Sequence, residues 1–334
     1  MIMKYLKILP AWGIILVLSS CVLSYNYQAE ILIPAQISVS SEIVNVAVFN
    51  RHDISERPKV SLSNMQKNKI FGLDSILLKQ AVIGLEDGLI ESPRFVLLDV
   101  KPKRLVTSKA PVSFSELSWN LLERYCSDTT DMLVELVRAG VQDTILDTDT
   151  TDLRVNNYYC VITTAFWRLY DMRYKKISLY RIQDTVKIEK VVGDYSTKYF
   201  GDMMEENFSY SMYKAGNRFS QGIAPCWAEI NRTVYKSALP GFRDAGQLVS
   251  NGKWMEAAEI WKPYCYIKSR FVASRACWNM ALASEMNDNF ELALEWLKES
   301  KRLGLNENVD DYKMIITDRI NQRTLLDQQM DILN

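Results

Sequence analysis

The period of apolar and polar positions changes along the chain, and the changes divide it. Residues 43–49, IVNVAVF, form a short β-branched run without helical period and predict a buried strand. A polar, proline-containing stretch leads on to Asp74. Leu78, Val82, Leu85 and Leu89 then recur at i, i+4, i+7 and i+11, one stripe of a helix that Ser92-Pro93 ends. RFVLLDV at 94–100 predicts a second strand. Ser113 and Glu116 have capping-box spacing and predict a helix through Tyr125. Residues 130–140 predict a third strand, and 156–170 with 175–189 a long hairpin around DMRYK. From about 194 the period turns helical. Asp194 to Gln221 reads as one long helix with Tyr199, Met203 and Phe208 on one side, and Pro225 and Pro240-Gly241 punctuate the chain beyond it. GKWMEAAEIW at 252–261 then aligns with DNFELALEWL at 288–297, an offset of 36 residues that pairs Trp254 with Phe290, Ala257 with Ala293 and Trp261 with Leu297.

These periods predict an α+β protein, with an N-terminal α/β sheet domain followed by an all-α helical domain. Two repeat segments are too few to bury their own apolar faces. Trp254, Trp261, Trp278 and Trp296 are expected to be core, each worth about 2–3 kcal/mol when buried, and to find cover in the stretch 194–235 with the sheet behind it.

The first twenty residues obey a different logic. Lys4 and Lys7 precede an apolar run from Ile8 to Leu18, and Ser19, Ser20 and Cys21 close it. A positive end, a short apolar core and small residues are the parts of a secretory signal. The run is about eleven residues, whereas a spanning helix needs about 20. Leu18-Ser19-Ser20-Cys21 resembles the bacterial lipobox. The resemblance implies that the Cys21 thiol carries a diacylglyceryl group, that the signal is cut before it, and that the new amine is acylated. A third chain strengthens an anchor gaining about 0.8 kcal/mol per buried methylene. No Asp stands at 22 and the first acid is Glu30, so lipoprotein sorting by analogy implies the periplasmic face of the outer membrane. The expected organisation is a signal at 1–20, a lipidated tether at 21–39, the sheet domain at 40–193, a helical connector at 194–235 and helical repeats at 236–334.

Forty Lys and Arg balance forty Asp and Glu, and loss of Lys4 and Lys7 leaves the mature chain slightly acidic, without the basic footprint of a nucleic-acid binder. With 48% apolar and 24% charged residues it has globular composition. Beyond Cys21 there are Cys126, Cys160, Cys226, Cys265 and Cys277, none in C-x-x-C spacing. Only Cys265 and Cys277 lie close enough in sequence to suggest a bridge, and burial as small hydrophobes is the favoured reading.

Candidate chemistry is sparse. His52 is the single histidine and sits just after a strand, a loop position rather than that of a base. DTILDTDTTD at 143–152 places Asp147, Asp149 and Asp152 as in a calcium loop for two positions. The pattern then fails, because Asp152 stands where glycine is needed and no glutamate closes it. A solvated loop is expected there. Asp143-Thr144-Ile145 resembles a short O-glycosylation acceptor that such a loop would expose. Gly-rich phosphate loops, H-E-x-x-H and G-x-S-x-G are missing from the sequence. No catalytic residue, metal ligand or cofactor is therefore assigned.

Residues 40–190, opening with IVNVAVFNRHD and continuing through ESPRFVLLDV and TDMLVEL, are similar to a recurring envelope domain. It occurs in the curli secretion-channel lipoprotein, in lipoprotein activators of peptidoglycan synthases and in TolB-type N-terminal domains. CWNMALASEMNDNFELALEW resembles a tetratricopeptide repeat. Taken whole, with PCWAEINRTVYKS (Pro225, Trp227, Arg232, Tyr235) and GKWMEAAEIW, the chain resembles an uncharacterised family of Gram-negative envelope lipoproteins. The resemblance implies no known activity. The single histidine and the missing motifs favour a non-catalytic, lipid-anchored interaction module with a membrane and an envelope protein as partners. The alternative is an envelope or glycan hydrolase using paired carboxylates, which leave no sequence signature.

Overall fold

The computed structural model describes residues 24–50, 70–71, 75–99, 115–147, 157–188, 197–304 and 308–330. Its strands are β1 (Ser24–Ile33), β2 (Asn45–Asn50), β3 (Ile70–Phe71), β4 (Val96–Leu98), β5 (Met132–Asp147), β6 (Asn157–Asp171), β7 (Lys176–Ile188) and β8 (Cys226–Tyr235). Its helices are α1 (Ser75–Glu91), α2 (Trp119–Tyr125), α3 (Thr197–Ile223), α4 (Pro240–Ser250), α5 (Trp254–Trp261), α6 (Arg270–Glu285), α7 (Phe290–Leu303) and α8 (Val309–Met330). The protein is α+β, as its periods predict. Its chain forms two compact units, each assembled from separated segments.

The sheet unit comprises residues 32–228 and 323–334. Its strands lie in the order β4–β2–β5–β6–β7, with β3 antiparallel to β5. β2 runs parallel to both β4 and β5, and β5, β6 and β7 form an antiparallel meander. Alternation along β2 sends Val46 and Val48 to the face packed by α1 and α3, and Ala47 and Phe49 to the face packed by α2. β5 obeys the same alternation only to Leu136. A bulge between Leu136 and Arg138 shifts the register, so Met132, Val134 and Leu136 and then Ala139 and Val141 all reach the α1–α3 face.

Helices α1 and α3 meet at small residues. A Cβ on Gly84 would collide with the Tyr213 carbonyl oxygen, one on Gly216 with the Ala81 carbonyl oxygen, and one on Gly88 with the Ser220 hydroxyl. Backbone therefore rests on backbone, as closely spaced small residues permit.

The helical unit comprises residues up to 31 and 229–322. Strands β1 and β8 pair as a two-stranded ribbon. Their tyrosines pack with α4 to α8 around Trp254, Trp261 and Trp278, all buried, while Trp296 is partly buried. The aligned residues are buried on both helices, with Ala257 and Ala293 fully buried on α5 and α7. Gly304 ends α7 in the left-handed conformation at φ 75°, a position that favours glycine.

Several expectations require correction. The segment 21–39, read as a tether, carries β1, because Tyr25, Tyr27, Ala29 and Ile31 alternate with exposed Asn26, Gln28 and Glu30. The connector 194–235 ends in a strand, β8, and its part from 229 onward covers the tryptophans together with β1 and α8. The helix expected from Ser113 begins at Trp119 with Ser118 as its N-cap, and Ser113 lies outside the described residues. Asp143 to Asp147 are not loop. They continue β5, paired with Val161 to Asn157 of β6, which removes the exposed-loop premise for Thr144.

Candidate functional site

A groove of about 390 Å³ opens in the sheet unit where the β6–β7 turn approaches the segment leading into β2. Met132, Leu169 and Ile43 form an apolar floor, and Asp171, Tyr174 and Lys176 stand with Ser40 and Ser178 around it. Asp171 is the one carboxylate among the described lining residues, and its Oδ1 accepts the backbone N–H groups of Arg173 and Tyr174. It holds the turn.

The acids just outside the groove are equally committed. Asp131 Oδ2 accepts the N–H of Val44 at 3.1 Å and of Asn45 at 2.8 Å, while its Oδ1 meets Arg173 Nε at 3.0 Å. Glu42 accepts from Arg173 at 3.0 Å and from the Tyr174 hydroxyl at 2.7 Å. That hydrogen bond and the Glu42 charge raise the Tyr174 pKa above its ordinary value. Glycoside hydrolysis needs two carboxyl groups facing each other across a scissile bond. Among its described lining residues the groove offers one, already hydrogen-bonded.

Two buried ionic networks lie elsewhere. On the α2 face of the sheet, Glu135 Oε2 accepts from Arg168 at 3.1 Å and from the Tyr170 hydroxyl at 2.8 Å. Tyr170 also accepts the Leu117 N–H at 3.0 Å. Burial first, then the Glu135 charge, pushes the Tyr170 pKa up to about 12. In the helical unit, the Glu285 carboxylate takes a bidentate grip from Arg232, with Nη2 at 2.7 Å and Nε at 2.9 and 3.1 Å. The Tyr312 hydroxyl donates to it at 2.6 Å, and Arg319 lies 3.7 Å away. Burial and then the Glu285 charge raise the Tyr312 pKa well above the phenol range. These networks tie strands and helices together in places closed to solvent.

The residues singled out in the sequence are dispersed. Cys21, His52, Asp149 and Asp152 lie outside the described residues. Cys160, Cys265 and Cys277 are buried, Cys126 and Cys226 half-buried, and all five are free thiols. The Cys265 thiol donates to the Trp261 carbonyl at 3.8 Å. Burial pushes the Cys126 thiol up to about 11, away from reactivity. Arg232 and Tyr235 of the PCWAEINRTVYKS segment both face the helical core, Arg232 gripping Glu285 and Tyr235 packing edge-on to Trp278 at 5.4 Å, whereas Trp227 is exposed. Sequence reasoning passed over Glu135, Arg168 and Glu285. The usable trace was a charge inside an otherwise apolar strand, as in MLVELV and FWRLY.

Among the described residues, no group of three potential ligands could hold a metal ion, and no helix is long and apolar enough to cross a membrane. Residues 43–235 match the family described as Domain of unknown function (DUF8603). The match covers more than half of the chain. The chain belongs to that family. Residues 243–321, from the first turn of α4 into α8, match a second description, Domain of unknown function (DUF6340). The DUF8603 span closes with the last residue of β8, and β1 lies before both spans. No curated protein matches the chain.

Proposed function

We propose that the protein is a lipid-anchored, non-catalytic envelope protein, held at the periplasmic face of the outer membrane through Cys21, whose helical unit docks a protein partner. The observation that carries this reading is an aromatic corner on the helical unit. Tyr266 is 72% exposed, Phe271 44% and Ile267 36%, all within six residues where the 3-10 turn Lys262–Tyr266 leads into α6. The Arg275 guanidinium sits 3.7 Å over the Phe271 ring. Exposed aromatics beside an arginine have the composition of interface hot spots. The committed carboxylates around the groove support a binding role over hydrolysis, and the lipobox resemblance supports the anchor. The resemblance of residues 40–190 to envelope domains fits the same setting.

The test places photo-crosslinking side chains at Tyr266 and Phe271 in native envelopes, with exposed Glu295 of α7 as control. One discrete crosslinked protein from the first two positions and none from the third is the expected result. No adduct at any position sinks the docking role. Cys21→Ser is expected to leave unprocessed precursor or a soluble product. Wild-type size and outer-membrane fractionation of that variant would remove the anchor.

A further inference from the structure

The anchor and the helical unit are separated by almost no chain. After Cys21 come Val22 and Leu23, and Ser24 already begins β1. Three peptide units span at most about 10–11 Å. β1 is itself a built part of the helical unit. It pairs with β8, and its inward tyrosines pack against the core. The Tyr27 ring meets Trp254 edge-on at 4.8 Å and 89°. The Tyr25 ring lies 4.9 Å under the Lys236 ammonium, and its hydroxyl is buried beside Gly246 of α4.

We infer that the helical unit is apposed to the lipid surface, with the end of the unit formed by Tyr25, Lys236 and α4 at the headgroups. This rests on the anchor reading above and adds the part of the protein that faces the membrane. A lipid on Cys21 pulls on a folded strand, not on a tether, so the acyl chains and the unit's core have little slack between them. The chemistry at that end suits the position. Lys236, exposed on a flexible stem over the Tyr25 ring, supplies a cation of the kind that settles facing anionic headgroups. β1 therefore does two things, completing the aromatic core and fixing the standoff from the membrane.

The experiment uses the full-length acylated protein on vesicles of phosphatidylethanolamine and phosphatidylglycerol. A fluorescent amino acid replaces exposed Gln247, next to Gly246, and an acceptor dye is carried on a lipid headgroup. A second form carries a Gly/Ser insert of about twelve residues between Leu23 and Ser24, whose flexible reach is about 17–20 Å. Native spacing is expected to give efficient energy transfer, and the insert to lower it about twofold while flotation and thermal melting stay unchanged. Equal transfer from both forms, with flotation retained, overturns the apposition and leaves the anchor standing. Failure of both forms to float, with masses lacking acyl chains, overturns the anchor and the apposition with it. If the insert lowers the melting temperature, the same comparison is made with the insert between Cys21 and Val22, and equal transfer there is decisive against the proposal.

Discussion

Three elements converge on the carboxylate of Glu285. Arg232 reaches it from β8, Tyr312 and Arg319 from α8, and its own backbone belongs to α6. Its side chain has no solvent exposure, so its charge is sustained only by these partners. Glu285→Ala leaves Arg232 in a closed site without its counter-charge and Arg319 with only the exposed Asp288 at 3.7 Å, and the expected loss is about 3–5 kcal/mol in urea unfolding of the whole chain. Replacing Glu285 and Arg232 together with apolar residues of similar volume is expected to cost less than Glu285→Ala alone, since the pair is then removed with its desolvation penalty. If the double variant is the less stable of the two, the network is not a compensated ion pair. Glu135 sits in the same situation in the sheet unit, where Tyr170 takes the place that Tyr312 holds in the helical unit.

Between elements, a backbone-to-backbone approach joins α1 to α3. Gly84 and Gly88 cost α1 roughly 1 kcal/mol each relative to alanine as helix formers. They stand in a helix whose neighbour lies where their Cβ atoms would be. Gly84→Ala must push Tyr213 and its backbone away, and the expected loss is about 1–3 kcal/mol in unfolding free energy, read from the urea midpoint. Gly140, in the middle of β5, has nothing within 4 Å of an added Cβ. Gly140→Ala is expected to be neutral or to stabilise by about 0.4–1 kcal/mol through the unfolded chain. Equal effects of the two substitutions would mean that the α1–α3 contact does not set the penalty.

At the scale of the whole molecule, neither unit is a continuous stretch of chain. The helical unit needs β1 and residues from 229 onward, about 200 residues later. The sheet unit takes in the last turns of α8, where the Gln329 side chain exchanges two hydrogen bonds of 2.9 Å with the Ala35 backbone. A fragment of residues 236–334 therefore lacks the ribbon that covers Trp254 and Trp278. It is expected to give no cooperative thermal transition. Residues 24–31 joined by a flexible linker to 229–322 are expected to restore one. Circular dichroism on heating distinguishes the two, and a cooperative melt of 236–334 alone would show that the ribbon is dispensable.

Local periodicity carries its own interpretation, which is why β2, α1, the β6–β7 hairpin, α3 and the helices α5 and α7 were legible from residues alone. A stripe at i, i+4 and i+7 is apolar whatever it later packs against. β1 has a period too, at Tyr25, Tyr27, Ala29 and Ile31, but its short run just after the apolar N-terminal stretch reads as a tether until β8 is seen to pair with it. The candidate sites were less legible. Arg232 and Glu285 are 53 residues apart, and Glu135 and Arg168 are 33, so nothing local marks either pair. The bulge after Leu136 likewise decides which face of β5 is core, and it depends on the register with β6. The sequence by itself determined elements such as α1 and the β6–β7 hairpin, because each obeys the period of its own backbone over a long run, but not β1 or β8. The tertiary structure alone decided which elements share a core, because strand pairing and the burial of charge are choices made between distant segments.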